Sequence, residues 1–157
     1  MDLRAAEETE IDQLARLWHD SWHDALVPIV PAELARRRTL ESFGPRLRAA
    51  LPDVRVVGPL RSAVGLCIVR GSELYQLFVS ADARGSGVAE RLIVHAEGRL
   101  AGRGVDTAWL TCAVGNARAA RFYEKCGWHR TRTFVDQLET PEGPFPLEVW
   151  RYEKSLR

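Results

Sequence analysis

The sequence is poor in the features that mark membrane, disulfide-rich and nucleic-acid-binding proteins. No apolar run approaches the ~20 residues that cross a bilayer, and the first ten residues, MDLRAAEETE, are acidic and lack the apolar centre of a signal peptide. Three cysteines, an odd number at wide spacing, form no CxxC or Cys/His pattern, so we expect buried reduced thiols. A formal net charge of +1, from 22 basic and 21 acidic residues, offers no field for nucleic acid. These absences predict a cytoplasmic protein with neither a membrane nor a nucleic-acid partner.

What is present is the composition of an ordinary globular chain. The 157 residues are 46% apolar and 27% charged, which suits one domain around one sizeable core. No repeat, low-complexity tract or linker divides the sequence. We therefore expect a single domain over residues 1–157.

The first third of the chain has helical periodicity. A short strand, DLRAA, precedes apolar residues at helical spacing from Glu8, and Pro28 ends that first helix. A second helical stretch runs through AELARRRTLESF to GPRLRAALP. Its three consecutive arginines, 36–38, are expected on a solvated helix face, with the binding of an acidic group as the alternative.

The rest of the chain alternates strands and helices. The segments VRVVG, SAVGLCIV and ELYQLFV are joined by short turns, which predicts an antiparallel meander. A helix from Gly87 to Leu100, the strand TAWLTCAV, the helix ARAARFYEKC and a final hairpin follow. The predicted order is β-α-α-β-β-β-α-β-α-β-β. This is an α/β (α+β) fold with a mixed central sheet of about seven strands, flanked by about four helices.

The stretch ARGSGVAERL, residues 83–92, places glycines and an arginine between a strand and a helix. A helix N-terminus presents unpaired N–H groups that favour phosphate, and Gly85 and Gly87 lack the Cβ atoms that would keep a ligand away. Arg84 adds a bidentate positive charge and Ser86 a hydroxyl. An ordinary strand-to-helix turn is the other interpretation, and this stretch alone leaves both open. A P-loop fits poorly because no lysine follows Gly87, and GSGVAE lacks the third glycine of a dinucleotide-binding fingerprint.

A second motif, NARAARFYEKCGW at residues 116–128, lies one strand downstream. Together, R-x-x-G-x-A and N-x-x-A-x-x-F-Y-x-x-x-G-W resemble the GNAT superfamily of acyl-CoA-dependent N-acyltransferases. The resemblance covers essentially the whole chain and is strongest from Leu74 to Trp128. The matching positions are Arg84, Gly87, Ala89, Asn116, Ala119, Phe122, Tyr123, Gly127 and Trp128.

The resemblance implies how acetyl-CoA would bind. The strand that ends in LFV would pair with the pantetheine arm, and the N–H groups of residues 84–89 would hold the pyrophosphate. A backbone N–H near Val79 would polarise the acyl carbonyl. Asn116 would contact the pantetheine, with helix N-capping as its other interpretation. The implied cofactor-binding set is Leu77, Phe78, Val79, Arg84, Gly85, Ser86, Gly87, Val88, Ala89, Asn116, Ala119 and Tyr123.

The resemblance also implies direct attack by a primary amine of a small molecule or peptide on acetyl-CoA, in a ternary complex without a metal. Tyr123 would protonate the departing thiolate, since a hydroxyl of pKa near ~10 stays protonated at pH 7; a packed core aromatic is the alternative. Some members carry a glutamate base where this sequence has Thr111. Glu73 is therefore the first candidate base, with a merely solvated carboxylate as the alternative, and Asp136 and Glu148 are further carboxylates near the acceptor side.

The acceptor side is suggested by LWHDSWHDAL, residues 17–26. In the family the first helices cover the acceptor pocket, so Trp22 and His23 are expected to line it; core packing and solvent exposure are the alternatives. The histidine spacing lacks a third ligand, which excludes a metal site. A homodimer is expected from family habit. The alternative function is a non-catalytic acyl-CoA-binding regulatory module, favoured by Thr111 and disfavoured by Tyr123.

Overall fold

The computed structural model describes residues 1–157 as a seven-stranded sheet in the order β1-β2-β3-β4-β5-β7-β6. Adjacent strands are antiparallel except for β4 and β5, which run parallel. The mixed sheet predicted from the sequence is thereby confirmed. No helix has the length and apolar character needed to cross a membrane. The strands are β1 Leu3–Ala5, β2 Val54–Val57, β3 Gly65–Arg70, β4 Glu73–Val79, β5 Thr107–Ala113, β6 His129–Leu138 and β7 Phe145–Ser155; the helices are α1 Ile11–Leu26, α2 Ala32–Arg37, α3 Leu40–Ala50, α4 Val88–Gly102 and α5 Ala117–Lys125.

The sheet is covered on both faces, and β3 shows why its sequence is almost continuously apolar. Leu66 and Ile68 point into the core formed with α1 and α3. Cys67 and Val69, one position along, point into the core formed with α4 and α5. Successive side chains of a strand alternate between faces, so a strand buried on both sides has no polar face.

The second helical stretch is two helices rather than one, so the fold has five helices. The backbone leaves the helical region at Arg38 (φ −88°, ψ 60°) and is extended at Thr39. The side chain of His23 on α1 holds the Arg38 carbonyl, with its Nε2 atom 2.6 Å from that oxygen. The expectation of three solvated arginines is wrong for Arg38, which is only 4% exposed, because the break turns its side chain inward.

The sheet has a gap where its two parallel strands, β4 and β5, separate. The strands β4 and β5 are in register only at Glu73 and Trp109 and diverge beyond that point. On its other side, β4 carries a bulge: Tyr75 has no partner in β3, because Val69 faces Leu74 and Ile68 faces Gln76. A bulge bends a strand and increases its twist, and the two features leave a gap in the middle of the sheet.

Candidate active site

A cleft of about 650 Å³ occupies the gap between β4 and β5. It runs from the turn before α4, past β4, β5 and α5, to side chains of α1, α3 and β6. Most of the predicted site residues line this one cleft; Ser86 and His23 do not. The predicted residues that line it are Trp22, Glu73, Leu77, Phe78, Val79, Arg84, Gly85, Gly87, Val88, Ala89, Asn116, Ala119 and Tyr123.

The turn before α4 presents a row of free backbone donors. Gly85 and Gly87 have φ angles of +79° and +86°, a left-handed conformation that glycine adopts at little cost. The N–H groups of residues 85–90 donate to no acceptor in the protein; pairing resumes at Arg91, whose N–H bonds to the Gly87 carbonyl at 3.1 Å. Consecutive free N–H groups at a helix N-terminus form a favourable site for an anion.

The two polar side chains of this turn have partners within the protein. Arg84 pairs with the exposed carboxylate of Asp24 on α1, and this contact lowers the pKa of Asp24. The hydroxyl of Ser86 donates to the Ala83 carbonyl, and Ser86 does not line the cleft. Arg84 lines the cleft, and its contact with pyrophosphate stays a prediction, whereas Ser86 forms its hydrogen bond within the turn itself.

Asn116 has the helix-capping role that was one of its two interpretations, and its contact with pantetheine stays a prediction. Its Oδ1 accepts a hydrogen bond from the Ala119 N–H at 3.3 Å, which caps α5. Both residues also line the cleft. The cap therefore places the first turn of α5 against the cleft wall.

Tyr123 lines the cleft, and its hydroxyl has no hydrogen-bond partner in the protein. Its ring lies against those of Phe122 and Tyr152, with centroids 5.6 Å and 6.1 Å away. Burial, reinforced by the thiols of Cys112 and Cys126, raises the pKa of Tyr123 above its ordinary value. The phenol is therefore fully protonated at neutral pH.

Glu73 is a buried carboxylate, not a solvated one. It is 6% exposed and accepts a hydrogen bond from Arg70 Nη2 at 3.2 Å. Burial raises the pKa of Glu73, while Arg70 opposes that rise. Of the further carboxylates, Asp136 lines the cleft, and Glu148 is exposed outside it.

The cleft also contains a thiol, that of Cys112. All three cysteines are unpaired; Cys67 and Cys112 are buried and Cys126 is half-buried. Burial raises the pKa of Cys112 to about 12. A thiol with so high a pKa is not a nucleophile at neutral pH.

The residues that line the acceptor end of the cleft differ from those predicted from the sequence. One predicted residue is missing from the lining, and two arginines that were not predicted belong to it. Trp22 lines the cleft, but His23 is turned away from it and contacts the Arg38 carbonyl. Arg38 and Arg46 line the cleft instead. For Arg38 the sequence offered binding of an acidic group only as the alternative to a solvated helix face, because it did not show the break between α2 and α3. It gave no signal for Arg46.

Both the sequence and the fold are similar to those of known acetyltransferases. Residues 11–128 match the model of the acetyltransferase (GNAT) family. The sequence is 30% identical to the peptidyl-lysine N-acetyltransferase YjaB of Escherichia coli K12 over 153 residues, which cover 94% of this chain and 93% of that protein. The fold is similar to a GCN5-related N-acetyltransferase of Rhodopseudomonas palustris (TM-score 0.79, 19% identity, covering 98% of this chain and 94% of that one). It is also similar to the PaiA N-acetyltransferase of Thermoplasma acidophilum in complex with coenzyme A (TM-score 0.67, 15% identity, 98% of each chain). The protein is an acyltransferase and belongs to the GNAT family of acetyltransferases.

Proposed function

We propose that the protein transfers the acetyl group of acetyl-CoA to a primary amine of a peptide or small molecule, by direct attack in a ternary complex. One observation carries the proposal: residues 85–90 have six consecutive free N–H groups, and all of these residues except Ser86 line the same cleft as a buried carboxylate and a protonated phenol. Phosphate recognition and acid–base chemistry are thus combined in one continuous space.

The cleft suits each part of acetyl-CoA. The pyrophosphate binds the free N–H groups at the start of α4, with Arg84 leaving Asp24 to contact it. An exposed ion pair is worth little, so this exchange of partners costs little. The pantetheine arm lies along Leu77–Val79, where β4 has separated from β5. The acetyl group then lies deeper in the cleft, towards the bulge at Tyr75.

The chemistry follows from two titratable groups. Glu73 takes a proton from the acceptor ammonium, and the free amine attacks the thioester carbonyl carbon to form a C–N bond. A backbone N–H near Val79 stabilises the oxyanion. The C–S bond then breaks, Tyr123 protonates the departing thiolate, and the second proton lost by the new amide nitrogen restores the Tyr123 hydroxyl. Glu73 releases its proton to solvent. The high pKa of Cys112 argues against an acyl-enzyme on that thiol.

The acceptor tested first is a peptide lysine, because the relative from E. coli is a peptidyl-lysine N-acetyltransferase. A small-molecule amine remains within the proposal. A cytoplasmic location, a single domain over residues 1–157 and a homodimer remain predictions.

The test is release of CoA thiol from acetyl-CoA in the presence of a lysine peptide, with mass spectrometry of the peptide. We expect a gain of one acetyl group, and a large loss of turnover in Tyr123→Phe. Binding of acetyl-CoA without turnover of any amine would instead favour the regulatory module. Retention of Tyr123 and burial of Glu73 argue against that alternative.

A further inference from the structure

Two guanidinium groups at the acceptor end of the cleft have no anionic partner. Arg38 is 4% exposed, and the only hydrogen bond of its side chain within the protein runs from Nη1 to the Glu139 carbonyl oxygen at 2.8 Å. Its buried Nε has no partner. Arg46 donates from Nη2 to the Tyr75 hydroxyl at 3.0 Å, and its buried Nη1 is also unpaired.

The surrounding structure fixes both groups in place. The Arg46 guanidinium lies 4.2 Å from the ring centre of Trp18 and 5.4 Å from that of Phe43. His23 holds the Arg38 carbonyl from α1. Both arginines are therefore held by contacts with the protein core and differ from mobile arginines on the surface.

The contrast with the neighbouring arginines is informative. Arg36 pairs at the surface with Glu33 and Glu142, and Arg37 lies over the ring of Phe145 at 5.1 Å. Only Arg38 is directed to the cleft. A buried polar group without a partner is costly, so an unpaired guanidinium next to a cleft points to a ligand that supplies the missing acceptor.

The other charged groups at this end of the cleft form no ion pair with the two arginines. Arg70 is paired with Glu73. Asp136 and Glu139 line the cleft, but neither carboxylate forms an ion pair with Arg38 or Arg46. Burial first, and then the charge of Arg46, lowers the pKa of Arg38 to about 10. The Glu139 charge acts to raise the pKa of Arg38, but it does not outweigh these opposing effects. An anion placed between the two guanidiniums would relieve both effects.

We propose that the acceptor amine carries a carboxylate, which Arg38 and Arg46 bind at the far end of the cleft. The proposal rests on the proposed function, since it names the class of amine that enters the same site. It suits an amino acid with a free α-carboxylate, or a peptide lysine beside an acidic residue. It disfavours polyamines, which add positive charge next to two guanidiniums.

Matched pairs of ligands test the proposal without altering the protein. Nα-acetyl-lysine and its amide differ only in the α-carboxylate; the amides of acetyl-Asp-Lys and acetyl-Asn-Lys differ only in a side-chain carboxylate. Dissociation constants are measured by calorimetry, with and without saturating CoA. We expect the carboxylate member of at least one pair to bind roughly tenfold more tightly, equivalent to about 1.4 kcal/mol. The pair that discriminates identifies the source of the carboxylate.

Variants assign the preference to the two arginines. Arg46→Gln and Arg38→Gln should bring the ratio within the discriminating pair towards one, whereas Arg36→Gln, the same change on the exposed face of α2, should leave it unaltered. If Arg38→Gln fails to fold, the ratio of dissociation constants in the wild type and in Arg46→Gln still tests the proposal. Equal or undetectable binding of both members of both pairs, or a ratio that survives Arg46→Gln, overturns the proposal. Failure of the proposed function is read separately, as absence of CoA binding or of acetyl transfer.

Discussion

Replacing glycine by alanine should have opposite effects on the stability of the protein at two positions of α4: its N-cap, Gly87, and an interior position, Gly98. Gly87, the N-cap of α4, has φ +86°, and a Cβ built on it meets nothing within 4 Å. The cost of Gly87→Ala is therefore in the backbone alone, about 1–2 kcal/mol for an L-residue in that region. Gly98 lies exposed within the same helix and also has open space at its Cβ. There, Gly98→Ala should stabilise the protein by about 0.5–1 kcal/mol.

Both effects are large enough to measure. For a protein of this size, 1 kcal/mol changes Tm by about 2–4 °C. Urea unfolding monitored by circular dichroism should place the two variants on opposite sides of the wild type. Gly87→Ala should also weaken acetyl-CoA binding, because its new Cβ and altered backbone disturb the free N–H groups. Gly98 is roughly 16 Å farther along the helix, so its variant should bind acetyl-CoA normally.

Two results for Gly87→Ala would contradict this reasoning. If Gly87→Ala is as stable as the wild type, the turn does not require a left-handed residue. If Gly87→Ala is destabilised but binds acetyl-CoA with unchanged affinity, the turn is structural and the pyrophosphate binds elsewhere.

Four further predictions follow from individual side chains. Arg84→Ala should weaken CoA affinity in calorimetry by about 1–3 kcal/mol, the scale of a charged hydrogen bond; unchanged affinity removes Arg84 from the pyrophosphate site. Tyr123→Phe should lower kcat far more than it changes acetyl-CoA affinity, and an unaltered kcat would reduce Tyr123 to packing. Glu73 must be ionised to act, so wild-type kcat/KM should fall as pH drops through the raised pKa of Glu73; Glu73→Gln should lose that acidic limb, and an identical pH profile would exclude Glu73 as base. Glu10→Gln should cost about 3 kcal/mol in urea unfolding, the scale for breaking a buried ion pair, because Glu10 is 1% exposed and accepts two hydrogen bonds from Arg4; an unchanged midpoint would contradict this.

The Glu10 prediction also has a pH dependence. Burial alone would raise the pKa of Glu10, but hydrogen bonds from Arg4 and from the N–H groups of Glu7 and Arg61 outweigh it and lower the pKa. The stability that the ionised group contributes is therefore complete above its unfolded pKa of about 4.3 and lost as pH falls through the lower folded value. The wild type and Glu10→Gln should converge in stability at the acidic end.

The elements that the sequence predicted well carry strong local signals. The helix α5 begins at a capping asparagine, Asn116, and ends before Gly127, whose φ is +88°. The meander of β2, β3 and β4 followed from apolar segments joined by short turns. In each case the local preference and the tertiary packing agree, so periodicity and turn chemistry were sufficient.

The acceptor end could not be predicted because tertiary contacts override local preference there. Three adjacent arginines indicate a solvated helix, but a hydrogen bond from His23, 15 residues earlier, holds the chain where α2 ends. As a result, His23 does not line the cleft, although the sequence predicted that it would. Arg38, which was expected on a solvated helix face, lines the cleft instead. Ser86 is a smaller case, since its hydroxyl has an acceptor within its own turn. Sequence patterns do not show which hydrogen-bond partner a side chain such as that of His23 or Ser86 will have in the folded protein.

The central claim is that the free N–H groups before α4 hold the pyrophosphate of acetyl-CoA in the cleft between β4 and β5. A ligand that binds only the folded state raises Tm, so thermal unfolding with acetyl-CoA, NAD and ATP, followed by calorimetry, tests the claim most directly. We predict that acetyl-CoA alone stabilises the protein and binds one site per chain. No stabilisation by acetyl-CoA, or equal stabilisation by NAD or ATP, would contradict the claim.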